Sequence, residues 1–174
     1  MTRIQSFAPV SAPDATRLIL GSMPGKRSLA EDQYYAHPQN AFWRIVATVF
    51  GFDPELPYPE RCHALLNARV ALWDVLGECE RHSSLDSDIV ETSIRANDFS
   101  GFFAAHPHIT AIVFNGAKAE QSFVRHVLPG LGEPSASIPR MRLPSTSPAH
   151  AGMRFEAKLA LWRTALSTAA DDIR

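Results

Sequence analysis

Cysteine is scarce in this chain, and the scarcity excludes a good deal. There are two, Cys62 and Cys79. They fit neither a disulfide framework nor a metal-ligand spacing, and an iron–sulfur cluster on the usual four thiolates is ruled out. No apolar run approaches the ~20 residues that span a bilayer. The opening MTRIQSFAPV has no apolar stretch of signal-peptide length, so the expectation is a cytoplasmic protein without a membrane partner. Gly-x-Gly-x-x-Gly is missing, and the one glycine-rich loop lacks the Gly-Lys-Ser/Thr of a nucleotide-binding P-loop. Without Gly-x-Ser-x-Gly, a hydrolase triad has no nucleophile. His106 and His108 flank a proline and stand at no metal spacing, so neither metal nor cofactor is expected. Charge of one sign is also lacking, because the net charge is −1.

The charge is nevertheless uneven. Between Arg140 and Arg163 five basic residues face a single acid, Glu156, and Lys26 and Arg27 flank the glycine loop. Local patches of this kind can hold phosphates on a neutral protein, though solvated helix faces look the same. At 174 residues with 45% hydrophobic content, the chain suits one globular domain over 1–174.

Short apolar segments at Arg17–Leu20, Val70–Val75, Thr110–Phe114 and Met141–Leu143 read as buried strands. Helical patterns cover Ala41–Phe50, Glu60–Ala68, Asn97–Ala105, Gly116–Val127 and Gly152–Thr168. Strands alternating with helices predict an α/β fold, a parallel sheet covered on both faces. The four strands run into Gly-Ser-Met-Pro-Gly, Trp-Asp-Val-Leu-Gly, Asn-Gly and Pro-Ser-Thr-Ser-Pro. The first of these can neither continue a strand nor easily start a helix. Open α/β sheets bind ligands outside the carboxyl ends of their strands, and four decorated ends point to a site there.

Several residues at those ends have chemistry to offer. Gly21 and Gly25 let backbone approach a ligand, with Pro24 stiffening the turn between them. Tyr34 and Tyr35 are core aromatics or a stacking platform for a flat heterocycle. Asn40 either caps the following helix or aims its carboxamide into a pocket, where it can orient water but cannot act as a true base. Ser145, Thr146 and Ser147, held between prolines, either close a polar turn or hold phosphates.

Together these segments resemble the uracil-DNA glycosylase superfamily. The match runs roughly from Leu18 to Trp162 and rests on GSMPG, QYYAHPQNAFW, FNG and LPSTSPAHA in that order. The hypoxanthine-DNA glycosylase branch is most similar, followed by the mismatch-specific uracil glycosylases. The resemblance implies a three-layer α/β domain with a short, mostly parallel four-stranded sheet flanked by helices. It also implies hydrolysis of the N-glycosidic bond of a deaminated base in double-stranded DNA, by a monomer with no metal, no cofactor and no lyase step. The damaged nucleotide leaves the stack for a snug pocket, at a cost of a few kcal/mol.

Residue roles follow from the same likeness. Gly21, Ser22 and Met23 belong to the first motif, whose backbone amides hold the base. Met23 stands where the mismatch-specific branch has a water-supporting asparagine, which turns the expectation from uracil toward hypoxanthine. Asn40, in the HPQN motif, is the expected catalytic residue. Tyr35 is the stacking aromatic, and Asn115 reads the base edge. Lys26, Ser145, Thr146 and Ser147 grip DNA phosphates. Ala149 takes the place of a larger helix wedge, so the push into the helix is either weak or supplied by His150. The competing readings are a uracil or G:U mismatch glycosylase of the same fold, a non-catalytic damaged-DNA-binding module, and a hydrolase of free nucleosides.

Overall fold

The computed structural model describes residues 2–171. Its centre is a four-stranded sheet of β2 (Arg17–Gly21), β3 (Val70–Asp74), β6 (Ala111–Asn115) and β7 (Arg140–Leu143). The order is β3-β2-β6-β7 and every pairing is parallel. β2 and β3 are buried along their whole length, as expected of inner parallel strands.

Strand alternation divides the core in two. Leu18, Leu20, Ala71, Trp73, Ile112 and Phe114 face one layer, made of α4 (Phe99–Ala105), α5 (Ala117–His126) and part of a second sheet. Ile19, Val70, Leu72 and Val113 face the other, made of α2 (Phe42–Phe50), α3 (Tyr58–Asn67) and α6 (Phe155–Asp171). Phe42 on α2 meets Trp162 on α6 edge-to-face, and Trp43 packs edge-on against Phe42 within α2. The fold is thus the α/β sandwich anticipated from the sequence, with its four strands in the anticipated places.

Two features differ from the sequence expectation. Despite its composition, GSMPG leads straight into a helix: α1 (Lys26–Glu31) begins directly after it, with Gly25 as an N-cap that has no side chain to signal it. And the run Val70–Val75 does not end the strand structure. The chain turns over Val75 and continues as β4 (Leu76–Glu80), which joins β1 (Arg3–Gln5) and β5 (Arg95–Ala96) in a separate antiparallel sheet, order β1-β4-β5. The helix expected from the Asn97-Asp98 pair is capped by the second of them, the Asp98 carboxylate accepting from the Gly101 amide at 3.1 Å. Asn97 donates to the Asp74 carbonyl at 2.8 Å. No helix among the described residues is long and apolar enough to cross a membrane.

Candidate active site

A cavity of about 940 Å³ opens at the carboxyl ends of the parallel strands. It collects Gly21–Lys26, Tyr35, Asn40, Asn115 and Ser145–His150, segments far apart in sequence. Every residue expected to act on the base or on DNA therefore lies in the wall of one chamber.

The first wall is the β2–α1 loop. Gly21 is indispensable by close approach: a Cβ there would sit 2.5 Å from Asp74 Oδ1 and 2.7 Å from the Tyr35 hydroxyl. Ser22 donates its hydroxyl to Asp86 Oδ1 at 2.7 Å. Met23 is buried, joins the core cluster of Leu18, Leu20 and Phe114, and lines the cavity. Lys26 is exposed at the rim, and its amide is held by Ser84 Oγ at 2.9 Å.

The second wall is the segment before α2. Tyr35 has φ 54°, the left-handed region that a tyrosine rarely enters. This conformation lays its ring on Phe42, centroids 4.1 Å apart and tilted by 30°. Burial and then the charge of Asp74 push its hydroxyl far above the usual tyrosine pKa, opposed by the nearby Asn115. Asn40 is not the cap of α2, a position held by Ala41. Asn40 Oδ1 accepts from the Phe42 amide at 2.9 Å and so secures the start of α2, while the residue also lines the cavity.

The third wall is the loop after β7, which is pinned from three sides. Asn115 Oδ1 accepts from the Thr146 amide and Asn115 Nδ2 donates to Thr146 Oγ1, both at 2.9 Å. Thr146 in turn presents its carbonyl to the Ala41 amide at 3.0 Å. From α6, Trp162 Nε1 donates to the Pro144 carbonyl and Lys158 Nζ to the His150 carbonyl, at 3.0 and 2.7 Å. Asn115 thus first fixes the loop, leaving one N–H and one lone pair for a base. Ser145 Oγ and Ser147 Oγ accept from local amides, and their hydroxyl protons remain to donate to a phosphate. Ala149 and His150 are exposed at the lip. Gly116, at φ 95°, lets the β6–α5 turn pass 3.1 Å from Ser145 Cβ as measured from a Cβ placed on it.

Lys158 is not a rim cation, as the charge distribution suggests. It is 5% exposed, burial lowers its pKa, and it acts as a strut. Of the other basic residues in that stretch, Arg142 pairs with Glu120 at 3.8 Å and Arg140 lies over Phe123.

The fourth wall, from 81 to 89, was missed in the sequence. Arg81 donates to the Pro24 carbonyl at 2.5 Å, and Ser84 and Asp86 clamp the β2–α1 loop as above. The run RHSSLDSD is a polar turn with no periodicity to mark it. Also missed was Asp74, on the cavity floor at the end of β3. It is 3% exposed, and no hydrogen bond reaches its Oδ2. Burial, reinforced by the charge of Asp86 and opposed by Arg81, pushes its pKa up to about 7. Its one sequence signal was an acid at the end of an otherwise apolar strand. Among the described residues no group of three histidine, cysteine or acidic side chains is arranged to hold a metal ion.

Known proteins share this fold and much of this sequence. The family model of the uracil DNA glycosylase superfamily matches residues 8–167. A hypoxanthine DNA glycosylase of Methanosarcina barkeri is 37% identical over 116 residues, covering 66% of this chain and 72% of that protein. One from Methanosarcina acetivorans is 35% identical over 136 residues, covering 78% and 84%. A solution NMR structure from Methanosarcina acetivorans, described as a candidate uracil DNA glycosylase, superposes with a TM-score of 0.80 at 31% identity over 96% of this chain and 98% of its own. With the match running through both the sheet and the cavity walls, the chain belongs to the uracil DNA glycosylase superfamily.

Proposed function

We propose that this protein is a monofunctional DNA glycosylase that removes hypoxanthine from double-stranded DNA by hydrolysing its N-glycosidic bond. The observation that carries the reading is the convergence of Gly21–Gly25, Tyr35, Asn40 and Ser145–Ser147 on one cavity at the strand ends. The family makes the chain a hydrolase of N-glycosyl bonds, and two relatives named for hypoxanthine favour that base over uracil.

In this mechanism the exposed lip of Lys26, Ala149 and His150 meets the DNA backbone, with the half-buried Ser145 and Ser147 and the buried Thr146 behind it. The flipped base stacks on the face of Tyr35 away from Phe42. Backbone amides of Ser22 and Met23, with the remaining N–H of Asn115, hold the base and take up its developing negative charge, the kind of preorganised help that is usually the largest catalytic term. Asn40 orients the water that attacks the sugar. The enzyme works as a cytoplasmic monomer without a cofactor.

The test is single-turnover base release from matched duplexes carrying one hypoxanthine, uracil or xanthine, followed by alkaline cleavage of the abasic site. Release of hypoxanthine without uracil is expected. Release of uracil alone would move the assignment to a uracil glycosylase. Salt-sensitive binding with no release from any duplex would leave a damage-binding module.

A further inference from the structure

Two polar groups on the cavity floor are buried without a hydrogen-bond partner: Asp74 Oδ2 and the Tyr35 hydroxyl. Such groups are rare in folded proteins and call for an explanation. Gly21 packs close to both residues: a Cβ on it would stand 2.5 Å from the other carboxylate oxygen, Asp74 Oδ1, and 2.7 Å from the Tyr35 hydroxyl, so no side chain can grow there. Asp86, the neighbouring acid, is already satisfied by Ser22. Asp74 is the unsatisfied one, and a buried carboxyl without hydrogen bonds is disfavoured as an ion. In its protonated form it has one O–H to donate, and the residue lines the cavity.

We propose that Asp74 is the acid that protonates the departing purine, at N7. The assignment rests on the cavity being the site of a deaminated purine. N7 carries an in-plane lone pair free to take a proton, the ring π-system links that atom through C8 to N9, the atom bonded to the sugar, and a pyrimidine has no such imidazole nitrogen. As the C1′–N9 bond breaks, its electron pair passes to the base. The Asp74 proton moves to N7, so the base leaves as neutral hypoxanthine and Asp74 becomes a carboxylate. Water adds to the oxocarbenium-like C1′ and gives up a proton, which restores the acid. Asp74 is thereby both a catalytic residue and a source of preference for purines over pyrimidines.

The groups around Asp74 keep it in the useful range. Tyr34 and Tyr35 face it from the segment before α2, and Asp86 from the 81–89 loop disfavours its ionisation. Arg81, at the end of β4, favours it. Burial dominates and raises the pKa to about 7, near the working pH at which an acid catalyst is most effective.

The experiment is a pH profile from 5 to 9 of single-turnover hypoxanthine release by the wild type and Asp74→Asn. The wild-type rate is expected to fall as pH rises through neutrality. Asp74→Asn should be slower by about 100-fold or more at pH 6 and flat across the range. A variant that keeps the wild-type rate or the descending limb overturns the assignment while leaving the proposed function intact. A wild type that releases uracil and no hypoxanthine overturns both. Because the variant changes a buried residue, a second arm keeps the wild-type protein and replaces the base with 7-deazahypoxanthine, which has a C–H at that position. The limb should vanish with this substrate, and its persistence would overturn the proposal.

Discussion

Asp74→Asn should make the protein more stable, and the gain should depend on pH. The Asp74 carboxyl is 3% exposed with a pKa pushed up to about 7, against 3.8 without the fold. A carboxyl whose pKa is raised by folding binds more protons folded than unfolded between the two values, so stability drops as pH rises through that window. Below the lower value the fold suffers no penalty, and above the upper one the whole penalty is present. Each tenfold weakening of the acid corresponds to about 1.36 kcal/mol, so the penalty plateaus on the order of 4 kcal/mol. Asparagine has nearly the same shape and no charge to bury. Urea unfolding followed by tryptophan fluorescence, at pH 4 to 9, should give coincident stabilities near pH 4 that diverge until about pH 7, the variant being the more stable. In thermal terms that is roughly 8–16 °C above neutrality for a chain of this size. Parallel stability curves for the two proteins would refute the burial argument. A gain in stability accompanied by lost excision is the trade expected of a strained functional group.

Other consequences can be checked with single substitutions. Gly21→Ala places a methyl within 3 Å of Asp74 and Tyr35. Since Tyr35 is backed by Phe42, it should cost about 1–3 kcal/mol by chemical denaturation and abolish excision, while Gly132→Ala, with nothing within 4 Å, should do neither. Asn40→Ala removes the acceptor for the Phe42 amide, which should cost only about 1 kcal/mol but lower single-turnover release by orders of magnitude; equal activity would refute its catalytic role. Lys158→Met keeps the apolar stem and removes the donor to the His150 carbonyl, so duplex affinity measured by anisotropy should weaken with little change in unfolding.

What could be read in the sequence followed one rule: local chemistry was visible and burial was not. The strands Arg17–Leu20 and Thr110–Phe114 announced themselves because inner parallel strands must be apolar on both faces. β4 did not, since Val75 and Leu76 resume the apolar run of β3 directly after Asp74 and the antiparallel sheet continues through Glu78 and Glu80. α1 was hidden because its cap, Gly25, offers no side chain. At the site, GSMPG, Tyr35, Asn40 and Ser145–Ser147 were legible from their residue types. Their division of labour was not: Asn115 spends its first hydrogen bonds on Thr146, and Lys158 is a buried strut rather than a phosphate contact. Asp74 is the extreme case. An aspartate at a strand end is ordinary, and only its unpartnered Oδ2, with Gly21 packed so close that a Cβ there would clash with Oδ1, marks it out. Residues that act by what they touch leave a trace in their own type and spacing. A residue that acts because the fold has withheld solvent and partners from it leaves none, so the groups with the most displaced ionisation are those least visible before the chain is folded.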